Sequence, residues 1–157
     1  MDIRTLPFDH VDSTKLIELV QQEYVTRYGD PDVTPVDPAE FAAPHGIFLV
    51  GYRGDEPIAC GGWRRHDEDE GPLRAGDAEI KRMFVVEAHR GNGHARAMLA
   101  ALERTAADAD CRRIVLETGT RQPEAIALYR SAGYREIDKF GVYAQDVLSV
   151  CMAKELE

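Results

Sequence analysis

The sequence predicts a single domain of mixed α/β type (α+β), with a central sheet of antiparallel and parallel strand pairs flanked by helices. Three observations predict it. Two apolar runs, residues 46–52 and 58–64, are joined by Arg53-Gly54-Asp55-Glu56-Pro57, which has the chemistry of a hairpin connection and implies an antiparallel pair. Farther on, strand, helix and strand patterns follow one another, which implies a parallel pair with a crossover helix. Finally, the chain has 157 residues, 44% hydrophobic and 30% charged, enough to bury one core without covalent staples, so residues 1–157 are read as one domain.

Taken in order, residues 2–6 suit a short strand. Asp12 or Ser13 can then cap a helix over residues 13–28, whose apolar positions Leu16, Leu19, Val20 and Tyr24 keep helical spacing. Residues 29–38 are dense in Gly, Asp and Pro and predict a surface loop, with a short helix after Pro38. Beyond the hairpin, the acidic run 66–75 reads as a loop before a longer strand over 77–86. From Gly91 the period becomes helical, with Ala95, Met98, Leu99, Leu102 and Ala106 on one face. A buried strand at 113–117 comes next, then a helix at 123–131 with Pro123 in its first turn and Gly133 as its stop. Strands at 134–137 and 147–153 complete the set.

Composition narrows the function classes. No apolar stretch is long enough to cross a bilayer and the N-terminus lacks a secretory pattern, which predicts a cytoplasmic protein without membrane partners. Cys60, Cys111 and Cys151 suggest neither a disulfide framework nor a zinc site. A net charge of −9 argues against nucleic acid as a partner and suits a cationic one. His89 and His94 lack the spacing of a helical metal pair, so no metal is expected.

The segment Arg90-Gly91-Asn92-Gly93-His94-Ala95 joins a strand to a helix. Such a junction can hold an anion, because a helix start offers unpaired N–H groups and the positive end of its dipole, and glycines allow close backbone approach. It lacks both the lysine of a P-loop and the third glycine of a dinucleotide fingerprint. It does match Arg/Gln-x-x-Gly-x-Gly/Ala after a strand ending in Met83-Phe84-Val85-Val86. Downstream, Ala125 to Tyr134 matches Ala-x-x-Leu-Tyr-x-x-x-Gly-Phe/Tyr. Together these motifs resemble the GNAT superfamily of acyl-CoA-dependent N-acetyltransferases.

The resemblance covers residues 47–152 and implies a mostly antiparallel sheet in which the parallel pair splays to admit acetyl-CoA as cosubstrate. It implies cofactor contacts from Met83, Phe84 and Val85 and from Arg90, Gly91, Asn92, Gly93, His94 and Ala95. The implied reaction is acetyl transfer to an amine of a small molecule or peptide, by direct attack in a ternary complex; homodimers are frequent in such proteins. Tyr129 matches a tyrosine near the sulfur that can donate a proton, although a helical tyrosine also packs well in a core.

Glu79 is the candidate general base, with a salt bridge to Lys81 or Arg82 as the structural alternative. Glu117 is the other candidate, as base or as anchor for a substrate ammonium. Trp63 and Tyr143 could line an acceptor site or pack in the core. Two positions depart from the family pattern, Glu87 where proline is common and Gln122 where asparagine often contacts the cofactor. Gln122 and the unsettled base motivate an alternative function, a non-catalytic acyl-CoA sensor.

Overall fold

A computed structural model describes residues 1–157. Seven strands form one sheet in the order β1-β2-β3-β4-β5-β7-β6. They are β1 (Asp2–Thr5), β2 (Gly46–Arg53), β3 (Glu56–Arg65), β4 (Asp77–Val85), β5 (Arg113–Gly119), β6 (Arg135–Ile137) and β7 (Ser149–Glu155). The helices are α1 (Val11–Tyr28), α2 (His94–Asp108) and α3 (Pro123–Ser131), with 3-10 turns at Pro38–Phe41 and Glu87–His89. Only β4 and β5 run parallel; every other neighbouring pair is antiparallel.

The alternation of side chains across each strand builds a core on both faces. Leu49, Trp63, Ile80, Ile114, Leu116 and Met152 pack against Met98, Leu99 and Leu102 of α2 and Tyr129 of α3. On the opposite face Phe48, Val50, Tyr52 and Cys60 meet Leu16 and Val20 of α1. Trp63 is a core residue, with its indole N–H donating to the Thr105 hydroxyl at 2.9 Å.

Element ends shift where local chemistry competes. α1 begins at Val11, because the His10 imidazole caps it by accepting from the Asp12 N–H at 3.0 Å. Asp12 and Ser13 are otherwise engaged, with the Tyr52 hydroxyl and the Pro7 carbonyl respectively. α2 begins at His94, with Gly93 in a left-handed conformation as its N-cap. Strand β7 starts two residues later than its apolar pattern, because Asp146 accepts the Leu148 N–H and the Ser149 N–H bonds the Asp146 carbonyl, which makes 146–149 a turn.

The parallel ladder is short. Its register pairs Asp77 with Arg113, Ala78 with Ile114 and Glu79 with Val115, and then stops. At its foot Asp77 and Arg113 form a buried bidentate ion pair at 3.0 and 2.7 Å. Beyond Glu79 the strands diverge. β5 stays paired with β7 as far as Gly119, whereas β4 follows β3 to Val85.

Candidate active site

The divergence opens a cleft of about 610 Å³. Its walls are the far ends of β4 and β5, the start of α2, the C-terminal half of α1, and α3. The edge of β4 facing it is shaped by a bulge, where Arg82 and Met83 together oppose Gly61 of β3. Arg82 sits at φ 59°, a left-handed conformation that costs a non-glycine residue roughly 1–2 kcal/mol.

Past the bulge the Val86 N–H bonds the Ile58 carbonyl. Bonded and non-bonded pairs alternate in an antiparallel ladder, so Phe84 is bonded to Cys60 while Met83 and Val85 turn their peptide groups toward the cleft. An extended ligand can hydrogen-bond there as a strand would.

At one end of the cleft lies the glycine turn. Gly91 and Gly93 take φ of 82° and 80°, and a Cβ at either would meet nothing within 4 Å. No side chain caps α2, so its first N–H groups are free to receive an anion. Around them stand His89, Arg90, His94 and Arg96. These features fit the pyrophosphate of an acyl-CoA.

Met83, Phe84, Val85, Arg90, Gly91, Gly93, His94, Ala95 and Tyr129 all line the cleft. Asn92 does not; it is exposed, and its amide donates to the His89 and Arg90 carbonyls at 3.2 and 3.4 Å, holding the turn. Arg90 reaches inward. Its Nε donates to the Val85 carbonyl at 2.9 Å, its guanidinium pairs with Glu23 of α1, and it lies 5.3 Å from the Phe84 ring centroid. It braces α1 against β4 with three of its five N–H groups and keeps two for a phosphate.

Tyr129 is buried, and its hydroxyl has no hydrogen-bond partner in the protein. Burial pushes its pKa up to about 12. A phenol with that value stays protonated across the working range and keeps its hydrogen available.

The two glutamates differ in surroundings. Glu79 does not line the cleft but belongs to a separate cavity of about 280 Å³, also walled by Arg64, His66, Leu73 and Phe140. Its Oε1 lies 3.0 Å from Arg64 Nε and 2.9 Å from His66 Nε2. Burial works to raise its pKa, but the His66 hydrogen bond and the charges of Arg64 and Lys81 outweigh it and hold Glu79 below the usual carboxylate range. The sequence had pointed to Lys81 and Arg82 as its salt-bridge alternatives; β3 supplies Arg64 directly opposite instead.

Glu117 lines both cavities. Its one protein hydrogen bond comes from the Ser149 hydroxyl at 3.1 Å. Burial, aided by the charges of Asp32 and Glu79 and opposed by Lys81 and Ser149, raises its pKa to about 7.

Asp32 carries no sequence signature, whereas Tyr143 and Gln122 stand where the sequence pointed to them. Asp32, in the loop after α1, takes ion pairs from Lys81 at 2.9 Å and Arg82 at 2.6 Å. Tyr143 is part of the cleft wall, and its hydroxyl accepts the Val33 N–H at 2.9 Å, joining the α1 loop to the β6–β7 loop. Gln122, at the departure from the family pattern, accepts from the Tyr28 hydroxyl at 3.2 Å and ties α1 to the start of α3. Tyr24 was legible only as an apolar stripe position; it lines the cleft, and burial raises its phenol.

Comparison with known proteins agrees with this geometry. The sequence model of the Acetyltransferase (GNAT) family matches residues 14–134. An IAA acetyltransferase of Azospirillum brasilense is 36% identical over 121 residues, 77% of this chain and 75% of the relative. A Klebsiella pneumoniae structure assigned as an acyl-CoA N-acyltransferase superposes with a TM-score of 0.78 at 31% identity, covering 99% of this chain and 97% of that one. A Bacillus subtilis acetyltransferase in complex with CoA shares the fold, with a TM-score of 0.66 at 17% identity over 99% and 98% of the two chains. The chain therefore belongs to the GNAT family of acyl-CoA-dependent N-acetyltransferases.

Proposed function

We propose that the protein transfers the acetyl group of acetyl-CoA to an amine of a small molecule or peptide by direct attack in a ternary complex, with Glu117 as the base. The observation that carries this reading is the position of Glu117, at the split of the parallel strands, unpaired by any cation, and with a pKa raised to about 7. A carboxylate with that value can take the proton of an ammonium near neutrality, directly or through water. Glu79, bound to Arg64 and His66, is already committed.

Binding of the cosubstrate is supported by the glycine turn and by the inward peptide groups of Met83 and Val85. The Val85 N–H can polarise the thioester carbonyl. Glu117 takes the ammonium proton and releases it through water to solvent. The neutral amine then forms the new N–C bond as the C–S bond breaks, Glu117 takes the second proton lost by the nitrogen, and the Tyr129 hydroxyl hydrogen-bonds the sulfur, which leaves as a thiolate. A phenol near 12 is a weaker acid than a thiol near ~8.5, so Tyr129 stabilises the thiolate as a hydrogen-bond donor and full proton transfer from it is uphill.

The test is a panel of polyamines, amino acids, aminoglycosides, aryl-alkyl amines and peptides, mixed with acetyl-CoA and followed by release of free thiol. With an acceptor found, Glu117→Gln is expected to lower kcat/KM by about 10²–10⁴-fold and to remove the rate limb near pH 7, with CoA affinity unchanged. Glu79→Gln is expected to keep that limb. A Glu117→Gln enzyme with the same limb and rate would exclude this base. Tight acetyl-CoA binding with no transfer across the panel would favour a non-catalytic sensor.

A further inference from the structure

The parallel register that ends at Glu79 and Val115 sets the next pair on the same face. Carried on two residues, it places Lys81 of β4 opposite Glu117 of β5 across the opening split. Both line the same cleft. A buried lysine and a half-buried glutamate so placed are natural partners, yet they do not pair: the Lys81 ammonium is bound to Asp32 at 2.9 Å, with only 7% of its side chain exposed.

Asp32 is built to hold it. Its backbone is clamped in both directions by Gln21 of α1, whose amide oxygen accepts the Asp32 N–H at 2.8 Å and whose amide nitrogen donates to the Asp32 carbonyl at 3.1 Å. The carboxylate accepts the Thr34 N–H at 2.9 Å and the Arg82 guanidinium at 2.6 Å. These charges and hydrogen bonds overcome burial and keep Asp32 ionised well below the usual carboxylate range. The loop is pinned a second time where the Val33 N–H meets the Tyr143 hydroxyl.

We propose that Asp32 is a positioning residue whose role is to sequester the Lys81 ammonium, so that Glu117 faces the acceptor side of the cleft without a cationic partner. The inference deepens the reading of Glu117 as the base and rests on it for its consequence in turnover. The groups facing Glu117 are Glu79 and Lys81 from β4, Cys151 and Ser149 from β7, and Asp32 and Tyr143 from the two loops; Arg82, the other cation of this wall, is bound to Asp32. Of these, Lys81 is the cation whose charge opposes the raised Glu117 pKa. Without Asp32 it would turn to Glu117, lower its proton affinity and make it a poor base. Asp32 thereby sets basicity through Lys81.

The experiment titrates the Glu117 carboxyl directly, by carbon-13 NMR of protein labelled at the glutamate side-chain carboxyl, with the resonance assigned by its loss in Glu117→Gln. Asp32→Asn is expected to lower the Glu117 midpoint by about 1 pH unit or more, the effect of an opposite charge coming within a few ångströms. Asp32→Asn also removes a negative charge that itself helps raise Glu117, so the decisive comparison is a cycle. Introduced into Lys81→Met, Asp32→Asn is expected to lower the midpoint by much less than it does in the parent, because no ammonium remains to turn.

An unchanged midpoint in Asp32→Asn, or a drop as large in Lys81→Met as in the parent, overturns the proposal. Should Asp32→Asn fail to fold, Lys81→Met alone decides: sequestration predicts a rise of less than about half a unit, and a rise of one unit or more shows Lys81 acting on Glu117 despite Asp32. The titration needs no acceptor. A Glu117 that shifts as expected, in an enzyme whose rate ignores Glu117→Gln, rejects the base assignment and leaves the sequestration standing.

Discussion

Gly93→Ala separates the two demands made on the glycine turn, backbone strain and approach of a ligand. Gly93 has φ 80°, so alanine pays the left-handed penalty of roughly 1–2 kcal/mol. An added Cβ meets nothing within 4 Å, so no clash inside the protein adds to it. Gly54, in the β2–β3 hairpin, supplies the matched control: its φ is 60°, a Cβ there also meets nothing within 4 Å, and it lies outside the cleft.

Both alanine variants are therefore expected to lose about 2–8 °C in melting temperature, at about 2–4 °C per kcal/mol for a domain of this size. They should differ with CoA. Gly93 lines the cleft at the start of α2, so a methyl group there is expected to narrow the approach to the free N–H groups and lower CoA affinity at least about tenfold, equivalent to about 1.4 kcal/mol. Gly54→Ala should bind as the parent does. The assay is thermal unfolding with and without CoA, backed by calorimetric titration. Equal loss of CoA affinity in both variants, or normal affinity in Gly93→Ala, would refute the role given to the turn.

Asp77→Ala leaves the Arg113 guanidinium buried and unpaired, and should cost about 3–5 kcal/mol in urea unfolding. Asp77→Ala with Arg113→Met should recover much of that loss, and a double variant as unstable as the single would show that the ion pair is not the cause. Tyr129→Phe is expected to lower kcat with little change in CoA affinity, since its hydroxyl has no partner in the free protein; equal losses in both would assign Tyr129 to binding.

What could be read in the sequence was local. Continuous apolar runs marked β2, β3 and β5, and helical spacing marked α1 and α2, because each pattern is written within a dozen residues. The glycine turn was legible for the same reason. The rest depends on which strand lies beside which. Arg64 meets Glu79 only through the β3–β4 register, and Lys81 faces Glu117 only through the β4–β5 register.

The bulge was hidden because it falls on Arg82, a residue with no preference for positive φ, held there by contacts from two other segments, Cys60 of β3 and Asp32 of the loop after α1. Asp32 looked like one more turn former among prolines. Its two cations stand 49 and 50 positions away.

The short parallel ladder has one more consequence. Three register pairs are all that join the half-sheet β1–β4 to the half-sheet β5–β7 along their shared seam. Above the seam, the N–H groups of Met83 and Val85 are left without a strand partner, while the Val85 carbonyl is taken by Arg90, so an extended molecule bound in the gap would act as an eighth, non-peptide strand. Each cycle of such an enzyme would then mend and reopen its own sheet, and amide exchange at Met83 and Val85 would record how often the seam is closed.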